Sequence, residues 1–113
     1  MNTSDVRGIG FDATCSLVVL DQDAHPISVT PHQSTDRNII LWLDHRAISE
    51  AEIINASHHD VLKYVGGKIS PEMQAPKILW LKKNLKPENW ERISIFLDLP
   101  EFLTFKATGC ISR

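Results

Sequence analysis

The stretch ILWLDHRA at residues 40–47 ends an apolar run in an acid, an imidazole and a guanidinium. Asp44, His45 and Arg46 are residue types found in catalytic clusters, but consecutive residues at the start of a helix point in different directions. Three such side chains do not converge on one atom. Because Asp is a preferred N-cap residue, the spacing favours Asp44 as the cap of the following helix, with His45 and Arg46 in solvent.

Trp42 precedes this polar group by two residues. Most tryptophans at a strand end belong to the core, whereas one that faces a cleft offers a flat apolar wall to the C–H face of a sugar. The carboxylates of Asp44 and Glu72 would then accept hydrogen bonds from the sugar hydroxyls. The pattern is compatible with a sugar site but is not specific to one.

Three further features have a simple structural interpretation. Cys15 begins an apolar run without an evident base, which favours a structural thiol over a nucleophile. The adjacent histidines at 58–59 chelate one ion poorly and have no third ligand at a useful spacing, so we predict no metal site. Residues 66–68, GGK, lack the spacing and the Ser or Thr of a phosphate loop, and we interpret them as a helix stop.

Composition argues against two classes of partner. Because the net charge is −2, we interpret a row of lysines near two tryptophans as a solvated helix face rather than a nucleic-acid surface. These lysines are Lys77, Lys82, Lys83 and Lys86. The apolar runs are far shorter than the ~18 residues that span a membrane. No signal peptide is visible, and Cys15 and Cys110 form no CxxC pair, so we predict a cytoplasmic protein.

The positioning elements follow from periodicity and cap residues. A length of 113 residues predicts one domain. Strands are predicted at residues 6–11, 15–20, 27–29, 39–43 and 95–97, with a tight antiparallel connection at 12–14. Helices are predicted at 44–55, 60–64, 70–86 with a kink or restart at Pro76, and 98–108. This order predicts an α/β domain with a mixed sheet, whose ligands bind outside the strand ends.

Four segments resemble the amino-terminal domain of the FGGY carbohydrate kinases, of the ribulokinase type. They are GIGFDATCSLVVLD, WLDHRA, YVGGKISPEMQAPKILWLK and DLPEFLTFKATG, and they occur in the order and at the spacing of that family. Any one of them is weak, but four in order are specific. The resemblance implies a ribonuclease-H-like (actin-like) fold, with residues 1–5 as a polar tail and 6–113 as part of the sugar-binding lobe.

The resemblance also implies a function and a site. Members of the family transfer the γ-phosphoryl group of MgATP to a sugar hydroxyl. Positions that match their substrate contacts are Thr14, Cys15, Trp42 and Glu72, and weaker matches are Asp12, Asp44 and Arg46. Asp44 and Arg46 have bracing of the loop as their alternative role. Thr14 and Cys15 with Glu72 match the ribulokinase type, which implies a ketopentose as the substrate, D-ribulose first.

Some family parts have no match in this sequence. The phosphate-facing Asp-x-Gly-Thr hairpin is not found before Val6, and the general-base aspartate and ATP-binding glycines are expected outside the chain. We therefore expect a fragment or isoform that binds no ATP or Mg and has no kinase activity alone. Two alternatives stay open. One is a non-catalytic isoform that associates with itself or the full-length kinase through an open sheet edge, and the other is an unrelated α/β binding module.

Overall fold

A three-stranded antiparallel sheet forms the centre of the structure, a computed structural model that describes residues 2–31 and 37–111. The strands are β1 (Leu17–Leu20), β2 (Ile39–Ile40) and β3 (Ile95–Asp98), in the order β2-β1-β3. Leu17 lies opposite Ile40 on one side and Asp98 on the other. All four residues of β1 are buried, as expected for an apolar run in a central strand. The α/β class is confirmed. A mixed sheet was expected, whereas the strand pairs within the described residues are all antiparallel.

The described residues also form four α-helices and two 3-10 helices. The α-helices are α1 (Ile48–Ala56), α2 (Gln74–Asn84), α3 (Pro87–Arg92) and α4 (Leu99–Thr108). The 3-10 helices are Thr3–Asp5 and Asp60–Val65. No helix within the described residues has the length and apolar character needed to cross a membrane.

The core lies between the sheet and α2. Its buried members are Leu17, Val19, Ile27, Val29, Ile40, Leu81 and Leu85. Burial of one such side chain stabilises the fold by about 1.5–3 kcal/mol, so this cluster is a main source of stability. Trp90 and Phe96 close the cluster at its edge, with ring centroids 6.4 Å apart.

Several predicted helix ends are confirmed because they depend on local chemistry. Gly66 and Gly109 end their helices in the left-handed region, with φ of 81° and 71°. Pro87 occupies the first turn of α3, and Asp98 forms a capping box with Glu101 at the start of α4.

Two predicted strands are shorter or absent. Residues 6–11 are not a strand, so the hairpin predicted at 12–14 is wrong; within the described residues no strand pairs with this extended, exposed segment. Alternating residues alone do not make a strand, since pairing supplies its hydrogen bonds. The strand predicted at 39–43 ends at Ile40, and residues 41–44 form a turn closed by the Asp44 N–H bond to the Leu41 carbonyl.

The segment 27–29 forms a partial edge rather than a named strand. Ile27 and Val29 are buried, and the Ile27 N–H donates to the Val19 carbonyl at 3.1 Å. Pro26 forms an isolated bridge with Leu20. Because Pro26 has no N–H to donate, the pairing stays short.

Two predicted helix starts are corrected. α1 begins at Ile48, with Ala47 at the N-cap position, and the Asp44 carboxylate accepts hydrogen bonds from the backbone N–H and the guanidinium of Arg46. α2 begins at Gln74 rather than at Ser70, whose hydroxyl accepts the Glu72 N–H in a preceding turn. This start places Pro76 in the first turn, where a missing N–H costs nothing, so the predicted kink or restart is wrong.

Candidate functional site

The candidate site is built around the turn at residues 41–44, which follows β2. The Trp42 N–H donates to the Ser16 hydroxyl at 3.2 Å, and that hydroxyl shares a 3.0 Å hydrogen bond with the Thr14 hydroxyl. Ser16 is fully buried directly before β1. Ser16 therefore links two residues that the sequence predicted to contact sugar, although the sequence analysis did not single it out.

Lys77 binds the same turn from the other side. Its Nζ donates to the Leu41 carbonyl at 2.7 Å and to the Trp42 carbonyl at 3.0 Å. The side chain is 0% exposed, so the prediction of a solvated lysine face is wrong at Lys77. Lys77 lies four residues before the equally buried Leu81, which places both on the inward face of α2. That spacing was the available signal for its burial.

Three predicted site residues act on the pKa of Lys77. Burial lowers this pKa, while Asp44, Cys15 and Glu72 act electrostatically in the opposite direction. The fold thus gathers residues from the start of β1, the turn after β2 and the turn before α2.

Asp44 and Arg46 form a brace within this turn. The Arg46 Nε donates to both carboxylate oxygens of Asp44 at 3.0 Å, and Nη2 donates at 2.6 Å. Nη1 donates to the Val29 carbonyl at 3.1 Å, and the guanidinium lies 4.9 Å from the centroid of the Trp80 ring. The hydrogen bond from Arg46 holds the pKa of Asp44 below its usual value. These contacts favour bracing over direct substrate contact.

His45 connects this turn to Glu72. Its Nε2 lies 3.1 Å from the Glu72 Oε1, and the two side chains are 51% and 41% exposed. The sequence analysis placed His45 in solvent without a partner. Glu72 therefore keeps one oxygen on His45 and presents a partly exposed carboxylate beside Trp42's turn.

Asp12, Thr14 and Cys15 lie on the exposed extended segment. Thr14 is joined to Trp42 through Ser16, and Cys15 is the residue directly before Ser16. Among the described residues, no hydrogen bond or ion pair joins Asp12 to this group, so it stays the least supported of the candidates.

A cavity of about 330 Å³ lies beside the brace, lined by Asp44, Arg46, Leu41 and neighbouring residues of 29–30 and 37–39. Its lining includes neither Trp42 nor Glu72. Trp42 is 38% exposed, so the candidate sugar surface is an open face rather than the interior of this cavity.

One further cluster offers potential metal ligands. Asp21, Asp23 and His25 place one ligand atom each within 4.8 Å of one another. The Asp21 Oδ1 already accepts the backbone N–H groups of His25 and Asp23 at 2.8 and 3.0 Å. The hydrogen bond from His25 is the main reason that the pKa of Asp21 is lowered. The cluster is explained by its role in closing the turn.

Comparisons with known proteins give the chain its relatives. The model of the N-terminal domain of the FGGY family of carbohydrate kinases matches residues 1–112. The chain is 54% identical over 113 residues to the FGGY carbohydrate kinase domain-containing protein of Homo sapiens, over 100% of this chain and 20% of that protein. It is 57% identical over 110 residues to a D-ribulokinase of Saccharomyces cerevisiae, over 96% of this chain and 15% of that protein.

A solved structure shows the same likeness. The crystal structure of a xylulose kinase from Brucella ovis matches with a TM-score of 0.70 and 25% identity, over 90% of this chain and 19% of that one. This match supports the expected actin-like lobe. The chain spans between 15 and 20% of the length of these curated relatives.

Proposed function

The chain belongs to the FGGY family of carbohydrate kinases, and we propose that its residues form the sugar-binding face of an enzyme that phosphorylates a ketopentose with ATP. D-ribulose is our first candidate substrate. The name of the 57% identical yeast relative, a D-ribulokinase, supports this choice. A cytoplasmic location stays a prediction from composition.

One observation carries the proposal. The Trp42 side chain is partly exposed on a turn whose backbone is tied to Ser16 and Lys77, with Glu72 reached through His45. A flat apolar ring with a carboxylate nearby suits a ligand that has a C–H face and a rim of hydroxyls.

We assign each predicted residue a role. Trp42 stacks on the sugar, Glu72 accepts a hydrogen bond from a sugar hydroxyl, and Thr14 offers a hydroxyl that donates or accepts a hydrogen bond. Cys15 borders the same face. Asp44 and Arg46 brace the turn, and Asp12 is a peripheral candidate. None of these residues is proposed to carry out the chemical step.

The charged groups at this face do not fit MgATP. The Lys77 ammonium is buried and bound to two carbonyls, and the Asp44 carboxylate is bound to Arg46. A phosphate site needs cations or N–H groups that are accessible to it, and a magnesium site needs accessible oxygen ligands. We therefore assign neither Lys77 nor Asp44 as a ligand of the nucleotide or its metal, and we derive no step through MgATP.

Sugar binding is tested with the full 113-residue chain labelled with 5-fluorotryptophan. D-ribulose should cause a saturable shift of one ¹⁹F resonance, assigned to Trp42 because it disappears in Trp42→Phe. Trp90→Phe is the matched control, since Trp90 packs on Phe96 away from this turn. A spectrum unchanged by D-ribulose, D-xylulose and other ketopentoses would contradict the proposal.

Catalysis by the chain alone is a separate question. We predict no ATP turnover with D-ribulose and MgATP in a coupled assay, because the described face holds no fitting nucleotide ligands. Turnover at the ~1–100 s⁻¹ typical of kinases would overturn this prediction.

A second candidate function is association without catalysis, either with another copy or with a full-length kinase. It is favoured by the exposed extended segment at 6–15, where Ile9 is 81% and Phe11 39% exposed. An extended backbone with exposed apolar side chains can pair with another strand. Size-exclusion chromatography should then show a dimer that Ile9→Lys weakens, whereas a monomer at all concentrations would count against self-association.

A further inference from the structure

We propose that Lys77 is a positioning residue for sugar recognition, acting through the backbone of the turn at 41–44 to set the orientation of Trp42. This inference rests on the proposed role of Trp42 as the sugar-facing wall. Lys77 itself touches no substrate in this proposal, because its side chain is 0% exposed.

The two polar groups of the Trp42 backbone are bound by side chains from two different elements. The N–H donates to Ser16 Oγ at 3.2 Å, and the carbonyl accepts from Lys77 Nζ at 3.0 Å. Lys77 also binds the preceding carbonyl, that of Leu41, at 2.7 Å. The peptide units on both sides of Trp42 are therefore held by side-chain hydrogen bonds. Trp42 and Lys77 are 35 residues apart along the chain.

Packing of its own side chains does not explain why the turn is ordered. Leu41, Trp42 and Leu43 are 57%, 38% and 57% exposed. The apolar groups that would normally anchor such a segment thus point largely into solvent. The Asp44–Arg46 brace holds the far end of the turn, and Ser16 and Lys77 hold the end that carries Trp42.

Using a buried ammonium for this purpose has a physical reason. A charged donor forms stronger hydrogen bonds to carbonyls than a neutral donor does. Removing it leaves the Leu41 and Trp42 carbonyls without the charged donor that holds them in place. The turn would then move, and with it the plane of the indole that the sugar must meet.

The first test needs no sugar. In the full chain labelled with 5-fluorotryptophan, Lys77→Met should shift or broaden the Trp42 resonance and leave the Trp90 resonance in place. Lys82→Met is the matched control, because Lys82 is an exposed lysine on the same helix. An unmoved Trp42 resonance in a folded Lys77→Met chain would overturn the proposal.

The second test adds D-ribulose. Lys77→Met should raise the Kd for D-ribulose about ten-fold, because a displaced indole loses stacking contact with the sugar. In the Trp42→Phe background the same substitution should change the Kd less, since both changes act on one contact. Equal effects in both backgrounds would show that Lys77 acts elsewhere. If the unmodified chain binds no ketopentose, the proposed function fails, while the first test still decides the role of Lys77.

If the Lys77→Met variant does not fold, a measurement on the unmodified chain tests the same proposal. With ¹⁵N-labelled lysine and ¹³C-labelled tryptophan carbonyl carbon, a buried hydrogen-bonded ammonium should give a slowly exchanging ¹⁵Nζ signal coupled to the Trp42 carbonyl. Exposed lysines such as Lys82 give no such signal. Its absence would overturn the proposal.

Discussion

The Glu72 carboxylate contacts His45 through one oxygen and is partly exposed to solvent. One carboxylate oxygen lies 3.1 Å from His45, while the side chain as a whole is 41% exposed. A carboxylate held in this way keeps acceptor capacity for a ligand hydroxyl. His45, which the sequence placed in solvent, orients that carboxylate and joins the turn at 41–44 to the turn before α2.

A substitution at Glu72 tests its place in the sugar site. In a full-length kinase that carries this sequence, Glu72→Gln should weaken the use of the sugar much more than the use of ATP. Loss of a hydrogen bond to a charged group should cost roughly 1.5–3 kcal/mol in sugar binding. The measurement is the Kd or KM of each substrate, with the exposed Glu52→Gln as control. Equal effects on both substrates would remove Glu72 from the site.

At the scale of elements, the loop between the 3-10 helix at Asp60–Val65 and α2 is tied down by one side chain. The Asn55 Nδ2 donates to the Ile69 carbonyl at 3.0 Å, and its Oδ1 accepts the Ile69 N–H at 2.8 Å. Both hydrogen bonds satisfy backbone groups one residue before the turn that carries Glu72. Asn55 was predicted only as the residue that closes α1.

The contribution of this tie is measurable. Asn55→Ala should lower the free energy of unfolding by about 1–2 kcal/mol, since two backbone groups lose their partner. Urea denaturation checks the value. Asn84→Ala is the control, because Asn84 is exposed and binds only the Trp80 carbonyl within its own helix, so its effect should stay within about 0.5 kcal/mol. An equally small effect for both would show that Ile69 is held by other means.

At the scale of the whole molecule, two partly or fully buried carboxylates stabilise the packing of elements. Burial raises the pKa of Glu50, but hydrogen bonds from Lys83 and Ser49 outweigh it and leave the pKa below its ordinary 4.5. The Lys83–Glu50 pair, at 3.1 Å, joins α2 to α1. The Asp44 pKa is held below 3.8 by Arg46.

These lowered pKa values predict acid sensitivity. The unfolded chain binds more protons than the folded chain between the folded and unfolded pKa values, so stability rises with pH there. The stabilisation is complete above the ordinary values of 3.8 and 4.5 and is lost as the pH falls through the lower folded values. Urea unfolding from pH 7 down to pH 2.5 should show this loss.

The variant Asp44→Asn with Glu50→Gln should be less stable at pH 7 and should lose less stability on acidification. Glu52→Gln, at an exposed position on α1, should keep the slope of the unmodified chain. An unchanged slope in the double variant would show that other carboxylates control the acid response.

The sequence by itself determined the features that depend on neighbouring residues. The apolar run of β1, the glycine stops at Gly66 and Gly109 and the capped start of α4 were all predictable, because burial, left-handed φ and capping are local properties. The resemblance also indicated the family and the α/β class correctly. Residue chemistry suggested Trp42, Asp44 and Glu72 as sugar contacts and the resemblance added the other candidates, and all of them stay predictions.

Only the tertiary structure decided which distant groups meet. The hydrogen bonds of Lys77 to the turn at 41–44, the His45–Glu72 contact and the Ser16 link to Trp42 join residues 26 to 36 positions apart. Local patterns carry no information about such pairs, because their energy comes from chain segments that the fold brings together. For the same reason the alternation at residues 6–11 predicted a strand that no described strand completes. The Asp44–Arg46 pair is local, but the spacing of the sequence did not distinguish this pair from a cap of α1.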